Sequence, residues 1–363
     1  MSRSYQIAFF GSSLVSSYWN GAATYYRGLL RALAGRGHRV IFFEPDAFQR
    51  QQNRDIADPH WATVVVYQPD KAAARRELER ARGAELIVKA SGVGVLDEFL
   101  EREVLKLRHP DNRVVFWDVD APATLERLHK DSQDPFRTLI PRYDRVFTYG
   151  GGPPVVEAYR ALGARDCLPI YNALDPDTHH PVPPDSRFTS TLAFLGNRMP
   201  DREARVWEFF LNPARELPGE TFLLGGSGWE QHIPPLANLN RLGHVGTREH
   251  NAFNCTPKAV LNVNRDSMAR VGYSPPTRIF EAAGAGACLI SDAWEGIEQF
   301  LKPEQEILIA RDGRDVVAQL QALDPKQARS IGAAALDRVL SEHTYAHRAV
   351  QVESELASLF QGA

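Results

Sequence analysis

The sequence predicts two doubly wound α/β domains facing one another across a cleft, followed by C-terminal helices. Three observations lead there. Short apolar runs alternate with amphipathic stretches along nearly the whole chain. Most of those runs are continuous rather than alternating, as parallel strands covered on both faces require. A proline-rich break near the middle interrupts the rhythm, which then resumes.

In the first half, strands are expected at residues 6–10, 39–43, 62–67, 85–89, 113–117, 145–148 and 167–171. Helical patterns lie between them at 22–34, 71–82, 95–106 and 154–162. Residues 172–187 carry Pro176, Pro181, Pro183 and Pro184, which exclude a helix or a central strand, so the segment reads as an interdomain linker. Beyond it, strands are expected at 191–195, 221–224, 241–244, 259–263, 287–291 and 307–310, with helices at 201–211, 247–254, 275–283, 296–300 and 315–323. The last helical run, 325–360, is too long to be uninterrupted, and His343-Thr344 marks its break. The expected domains are residues 1–175 and 186–340, with 341–363 crossing back toward the first.

Composition narrows the function. The chain has 363 residues, 44% hydrophobic and 24% charged, enough for two domains at roughly 150 residues each. A formal net charge of −3 argues against a nucleic-acid partner, whose phosphates demand a basic excess. No apolar run approaches the roughly 20 residues of a membrane span, and residues 1–6 lead directly into a strand pattern. The expectation is a cytoplasmic protein without a transmembrane segment. Cys167, Cys255 and Cys288 are too scattered for a disulfide framework and read as buried free thiols; without HxH or HExxH grouping, no metal is expected.

The most informative stretch is Ser274-Pro275-Pro276-Thr277-Arg278-Ile279-Phe280-Glu281, ending at Gly284 and Gly286. Ser274 reads as an N-cap with Pro275 at the first helical position, so that free amides and the positive dipole end would meet an anion such as a diphosphate. Thr277 and Glu281 share a face, which sets a carboxylate one turn deeper, where vicinal ribose hydroxyls would donate to it. A plain capped helix with Arg278 and Glu281 paired on its surface accounts for the spacing equally well.

In Gly196-Asn197-Arg198-Met199-Pro200-Asp201-Arg202, a glycine turn follows a strand, and arginines stand ready to stabilise a leaving diphosphate. For Arg202, pairing with Glu203 or Asp201 is the better reading; for Arg198 it is not. Gly11-Ser12-Ser13 follows the first strand without a complete GxGxxG, and Asn20-Gly21 opens the next helix. Asp118 and Asp120 end another strand. Asp120 suits a helix cap, whereas Asp118 could orient or deprotonate an acceptor hydroxyl. Gly150-Gly151-Gly152 reads as a hinge or acceptor loop. His179, His180 and His244 are isolated, and isolated histidines are more often structural.

These residues resemble a known family. The run 274–309, continuing through Ile290-Ser291-Asp292, Gly296-Ile297-Glu298 and Glu306-Ile307-Leu308, looks like the C-terminal domain of group-1-type glycosyltransferases. More closely, it is similar to the spore-maturation-type glycosyltransferase-like proteins, which segments 117–122, 147–151 and 341–349 also resemble. The resemblance implies a GT-B fold of two Rossmann-like domains, the first for the acceptor and the second for a nucleoside-diphosphate sugar. It implies a hexosyl- or related transferase that retains anomeric configuration, needs no metal and uses the nucleotide-sugar as substrate rather than cofactor. Carried over, Arg198 and Asp118 would be catalytic. Gly196, Asn197, Arg198, Arg202, His244, Val245, Tyr273, Ser274, Pro275, Pro276, Thr277, Arg278 and Glu281 would hold the donor, and Gly11, Ser12, Ser13, Asp118, Asp120, Gly150 and Gly151 would line the acceptor side. Related enzymes often carry a second glutamate eight positions before the ribose-binding one; Tyr273 stands there instead. The acceptor is left open among glycan, lipid, protein and small molecule. Two alternatives keep the same fold: a non-catalytic nucleotide-sugar-binding module and a sugar-nucleotide epimerase.

Overall fold

The computed structural model describes residues 3–230, 233 and 235–361. The chain forms two units. One holds Met1–Asn172 and Tyr345–Ala363, and the other holds Ala173–Thr344.

The first unit is built on a seven-stranded sheet of β1 (Gln6–Phe10), β2 (Arg39–Pro45), β3 (Ala62–Tyr67), β4 (Leu86–Ala90), β5 (Arg113–Asp118), β6 (Arg145–Thr148) and β7 (Cys167–Pro169). Its order is β3-β2-β1-β4-β5-β6-β7, every pairing is parallel, and the chain reverses direction across the sheet between β1 and β4. The helices are α1 (Ala23–Gly35), α2 (Lys71–Ala81), α3 (Asp97–Glu103), α4 (Ala121–Lys130), α5 (Phe136–Leu139) and α6 (Gly152–Ala161). Strands such as Leu192–Leu195 in the second unit are buried along their whole length, which is why their sequence is apolar throughout.

The second unit carries a six-stranded sheet of β8 (Leu192–Leu195), β9 (Phe222–Gly225), β10 (Leu239–Gly243), β11 (Ala259–Asn262), β12 (Leu289–Asp292) and β13 (Leu308–Ala310), in the order β10-β9-β8-β11-β12-β13 and again parallel. Around it lie α7 (Pro200–Val206), α8 (Asn212–Glu216), α9 (His250–Cys255), α10 (Asp266–Val271), α11 (Thr277–Gly284), α12 (Gly313–Ala322) and α13 (Pro325–Glu342). Phe194, Phe210, Phe222, Trp229, Leu261 and Ile290 form the centre of one core. Each such side chain contributes about 1.5–3 kcal/mol by leaving water. After a break at His343-Thr344, α14 (Tyr345–Gln361) returns to the first unit.

Every expected strand is present, with ends within two residues of the expectation. Three readings need correction. The proline-rich segment is not a free linker: Val182 N donates to Cys255 Sγ, Asp185 N to Thr256 Oγ1, and Leu174 packs on Gly284. Its prolines only exclude regular structure; they do not exclude docking. The helix expected at 201–211 continues to Glu216 through a wider turn at Trp207–Leu211. The helix expected from Pro275 begins at Thr277, because each proline bars the residue before it from helical geometry. The helix at Ala121–Lys130 starts where Asp120 and the following Ala-Pro suit a helix cap, whereas the sequence carries no such signal for the helix at Asp266–Val271. The second is six residues long, too short for a periodic signal. Of the three cysteines, Cys167 and Cys288 are buried, while Cys255 is half-buried.

Helix α14 lies on α1 where Gly28 leaves room: a Cβ there would stand 2.2 Å from the Tyr345 ring. Gly28→Ala should destabilise the first unit by about 1–3 kcal/mol through overpacking. A lowered denaturant midpoint checks this, and an unchanged midpoint would show that the ring yields freely.

Candidate functional site

In the second unit the strand order reverses between β8 and β11. Ligands of open parallel sheets bind outside the carboxyl ends at such a point. The turn after β8 is stapled down: Gly196 N donates to Gly225 O, Trp229 Nε1 to Gly196 O at 2.7 Å, and Ser227 N to Asn197 Oδ1. A Cβ on Gly196 would lie 2.8 Å from Arg202 Nη2. Glycine therefore lets the guanidinium fold back under the turn, where it donates to Asn197 O at 2.6 Å and sits over the Phe194 ring.

The two arginines of this turn exchange the roles expected of them. Arg198 is the paired one, 2.6 Å from Glu203. Burial, then the positive charges of Arg278 and Arg265, pull the Arg202 pKa down to about 10. Burial also lowers that of Arg278, opposed by the Glu281 charge. Among the described residues the Arg278 guanidinium has neither ion pair nor hydrogen bond, and the Glu281 side chain has no hydrogen bond. The surface pair expected between them is not formed. The Arg278 charge disfavours a proton on the half-buried Arg202, a repulsion that a bound anion would relieve.

Helix α11 supplies more donors at the same end of the sheet. Pro276 is its N-cap, extended at φ −68° and ψ 155°, with no side-chain cap. The amides of Thr277 and Arg278 therefore have no intrahelical acceptor and mark the positive dipole end. Ser274 is not the cap. It is 4% exposed and its Oγ has no partner. Asn264 Nδ2, just beyond β11, and Trp294 Nε1, just beyond β12, are likewise buried without partners, although buried polar groups are rarely left unpaired. Glu281 lies a turn into the helix, near His250, whose pKa is lowered by burial and raised again by the Glu281 charge. His250 was not anticipated, and as an isolated histidine it gave no sequence signal.

Other donor-side expectations fare differently. Tyr273 holds a left-handed φ of 47° between α10 and α11 and is committed to the loop after β12: its N donates to Glu295 O, its hydroxyl to Glu295 Oε1 at 3.1 Å, and its ring fills the space a Gly296 Cβ would need. His244 is exposed, and Val245 packs in a small core with Leu223 and Phe253.

In the first unit, Asp118 is fully buried. It accepts from Ser91 Oγ (2.7 Å), Thr124 Oγ1 (3.0 Å), Asp120 N (3.0 Å) and Tyr159 Oη (2.5 Å). Burial raises its pKa against those bonds. Buried and already held by four donors, this carboxylate ties β4, β5, α4 and α6 together, an arrangement that suits a structural role for the residue expected to be catalytic. Asp120 stands at the N-cap of α4 without a capping side-chain bond. Gly150 is buried, and Gly151 (φ 92°) packs against Val155 to start α6, a tight turn rather than a hinge. Gly11, Ser12 and Ser13 are also committed: Gly11 N donates to Phe43 O, Ser12 Oγ to Asn20, and Ser13 Oγ to the buried Glu44.

Among the described residues no group of three or more His, Cys, Asp or Glu is gathered to hold a metal ion, and no helix is long and apolar enough to cross a membrane.

Residues 202–354 match the family described as Glycosyl transferase-like. No curated protein matches the chain in sequence. Among solved structures, the chain resembles a sucrose-phosphate synthase from Thermosynechococcus elongatus at 15% identity and TM-score 0.73, covering 99% of this chain and 100% of that one. It also resembles Anabaena HepE in complex with UDP and glucose, at 15% identity, TM-score 0.65 and coverage of 98% and 100%. An alpha-glucosyltransferase in complex with UDP-glucose and DNA containing an abasic site matches at 12% identity and TM-score 0.70, with 98% of this chain and 100% of that one covered. The likeness shows the fold: two Rossmann-like domains of the GT-B class, with helices at the C-terminus.

Asp118→Ala should strand the Ser91, Thr124 and Tyr159 hydroxyls and cost about 2–4 kcal/mol of stability, measured by denaturation.

Proposed function

We propose that the protein transfers a sugar from a nucleoside-diphosphate donor to an acceptor hydroxyl, without a metal. The observation that carries this reading is the half-buried Arg278 guanidinium, which among the described residues has neither ion pair nor hydrogen bond and acts on the charge of Arg202, at the mouth of a helix whose first amides and neighbouring Ser274 hydroxyl also lack acceptors. A diphosphate would satisfy all of them together. Glu281, one turn deeper and without a hydrogen-bond donor, suits the two ribose hydroxyls.

The chemistry follows from charge. As the bond between the anomeric carbon and the phosphate oxygen breaks, negative charge grows on the leaving diphosphate. Preorganised donors stabilise that charge more than they stabilise the bound donor. The acceptor oxygen bonds to the anomeric carbon, and its proton passes to the departing phosphate. The reading extends to a hexosyl donor, to retention of configuration and to action in the cytoplasm, and it groups the chain with the spore-maturation-type glycosyltransferase-like proteins. Support for UDP comes from the neighbours solved with UDP or UDP-glucose. A second reading, a binding module without turnover, is favoured by the full commitment of Asp118 and by Tyr273 at the position where relatives often have glutamate. Tight UDP-sugar binding with neither hydrolysis nor transfer would select it.

Arg278→Ala and Glu281→Ala should each weaken UDP binding about 10- to 100-fold, as expected for losing hydrogen bonds to a charged group. Calorimetry on the folded variants checks this, and unaltered affinity in both would refute the site. Chelation with EDTA should leave donor hydrolysis or transfer unchanged. The anomeric configuration of the product, read by NMR, tests retention.

A further inference from the structure

The first unit presents aromatic rings to water at the carboxyl ends of its central strands. Trp19 is 84% exposed, Phe48 51% and Tyr18 40%, and the Tyr18 ring stands edge-on to Trp19 at 6.3 Å. They sit on the loops after β1 and β2, whose strands are neighbours beside the point where the sheet order reverses. Each exposed large aromatic forgoes about 1.5–3 kcal/mol of burial.

The backbone that holds them is strained and braced. Trp19 (φ 47°), Phe48 (φ 55°), Gln49 (φ 58°) and, on the loop after β4, Leu96 (φ 58°) all adopt the left-handed region without being glycine. That conformation costs about 1–2 kcal/mol per residue and persists where surrounding contacts over-determine it, often at ligand clamps. Here the contacts are explicit. Asp55 accepts from Ser17 N (3.1 Å) and Ser17 Oγ (2.9 Å) and takes both ends of the Arg27 guanidinium. Ser16 Oγ donates to Asn53 O, while Arg50 Nη1 donates to Ser12 O and Val93 O. Phe48 rests where a Gly94 Cβ would be 2.7 Å away. The loops form one braced platform rather than a floppy rim.

The chemistry of the platform selects its occupant. Residues 11–22 carry no charge, and residues 46–58 carry Asp46, Asp55 and Asp58 against Arg50 and Arg54. An anionic membrane or a phosphorylated ligand would call for a basic excess. Exposed indole and phenyl faces flanked by the hydroxyl of Ser17 and the amide of Gln49, both exposed, suit a ring with one C–H face and an equatorial belt of hydroxyls. We infer that this ledge docks a neutral saccharide, with Trp19 as the stacking platform. The ledge stands on these observations alone and is independent of the glycosyltransferase reading.

The test uses the full chain and a panel of neutral hexasaccharides (gluco-, manno-, xylo- and N-acetylglucosamine series), with binding followed by calorimetry and tryptophan emission. At least one should bind. W19A should weaken it roughly tenfold, a stacking contribution, W19F should retain it within about threefold, and the UDP affinity of both variants should equal that of the unaltered chain. Failure of the unaltered chain to bind any hexasaccharide, or equal binding by W19A, overturns the proposal. So does Trp19-dependent sedimentation with phosphatidylserine-containing vesicles, or loss of a self-associated state in W19A by ultracentrifugation. If UDP fails to bind while a saccharide does, the donor reading falls and the ledge stands.

Discussion

The second unit is organised around two guanidiniums that the fold crowds together without neutralising. Arg202 is drawn under the β8 turn because Gly196 has no side chain, and its bond to Asn197 O fixes it there. Arg278 enters from the first turn of α11, whose start is dictated by two consecutive prolines. Neither position is negotiable once the backbone is set, so the positive potential is built in before any ligand arrives. The nearby carboxylates are already employed: Asp292 accepts from Arg205 and from the Asn264 amide, and Glu203 holds Arg198. What is left over is two guanidiniums and the Glu281 carboxylate, with buried unpaired donors at Ser274, Asn264 and Trp294 in the same unit.

The first unit spends its polar groups in the opposite way. Asp118, Glu44 and Asp97 are each saturated by local donors: Asp118 by three side chains and an amide, Glu44 by Ser13, Leu14 N and Gln51, and Asp97 by Lys89 and two loop amides. These bonds hold loops at the carboxyl ends of strands in fixed, partly left-handed shapes. The outcome is a rigid surface with few free charges and several exposed rings. One unit is thus equipped for electrostatic recognition and the other for stacking.

Much of this was legible in the chain. The strands could be read because parallel strands buried on both faces need uninterrupted apolar runs, and the break at His343-Thr344 could be read because a single helix of that length is improbable in a globular unit. Segment 274–281 announced itself through proline, serine and glutamate spacing. The misreadings share a cause. Residue type and strand-end position favour Ser274 as a cap, Asp118 as a base and Arg198 as the free cation, because both are the same for an occupied group and an available one.

The sequence by itself therefore determined the alternation of elements, the two-unit organisation and the segments that end near ligands, since these depend on period and on backbone chemistry carried by single residues. Only the tertiary structure decided which polar groups remain available. Whether Arg198 or Arg202 finds Glu203, and whether Asp118 meets Tyr159 forty-one positions away, depends on neighbours brought together by folding, and hydrogen-bond saturation is a property of those neighbours rather than of any residue alone.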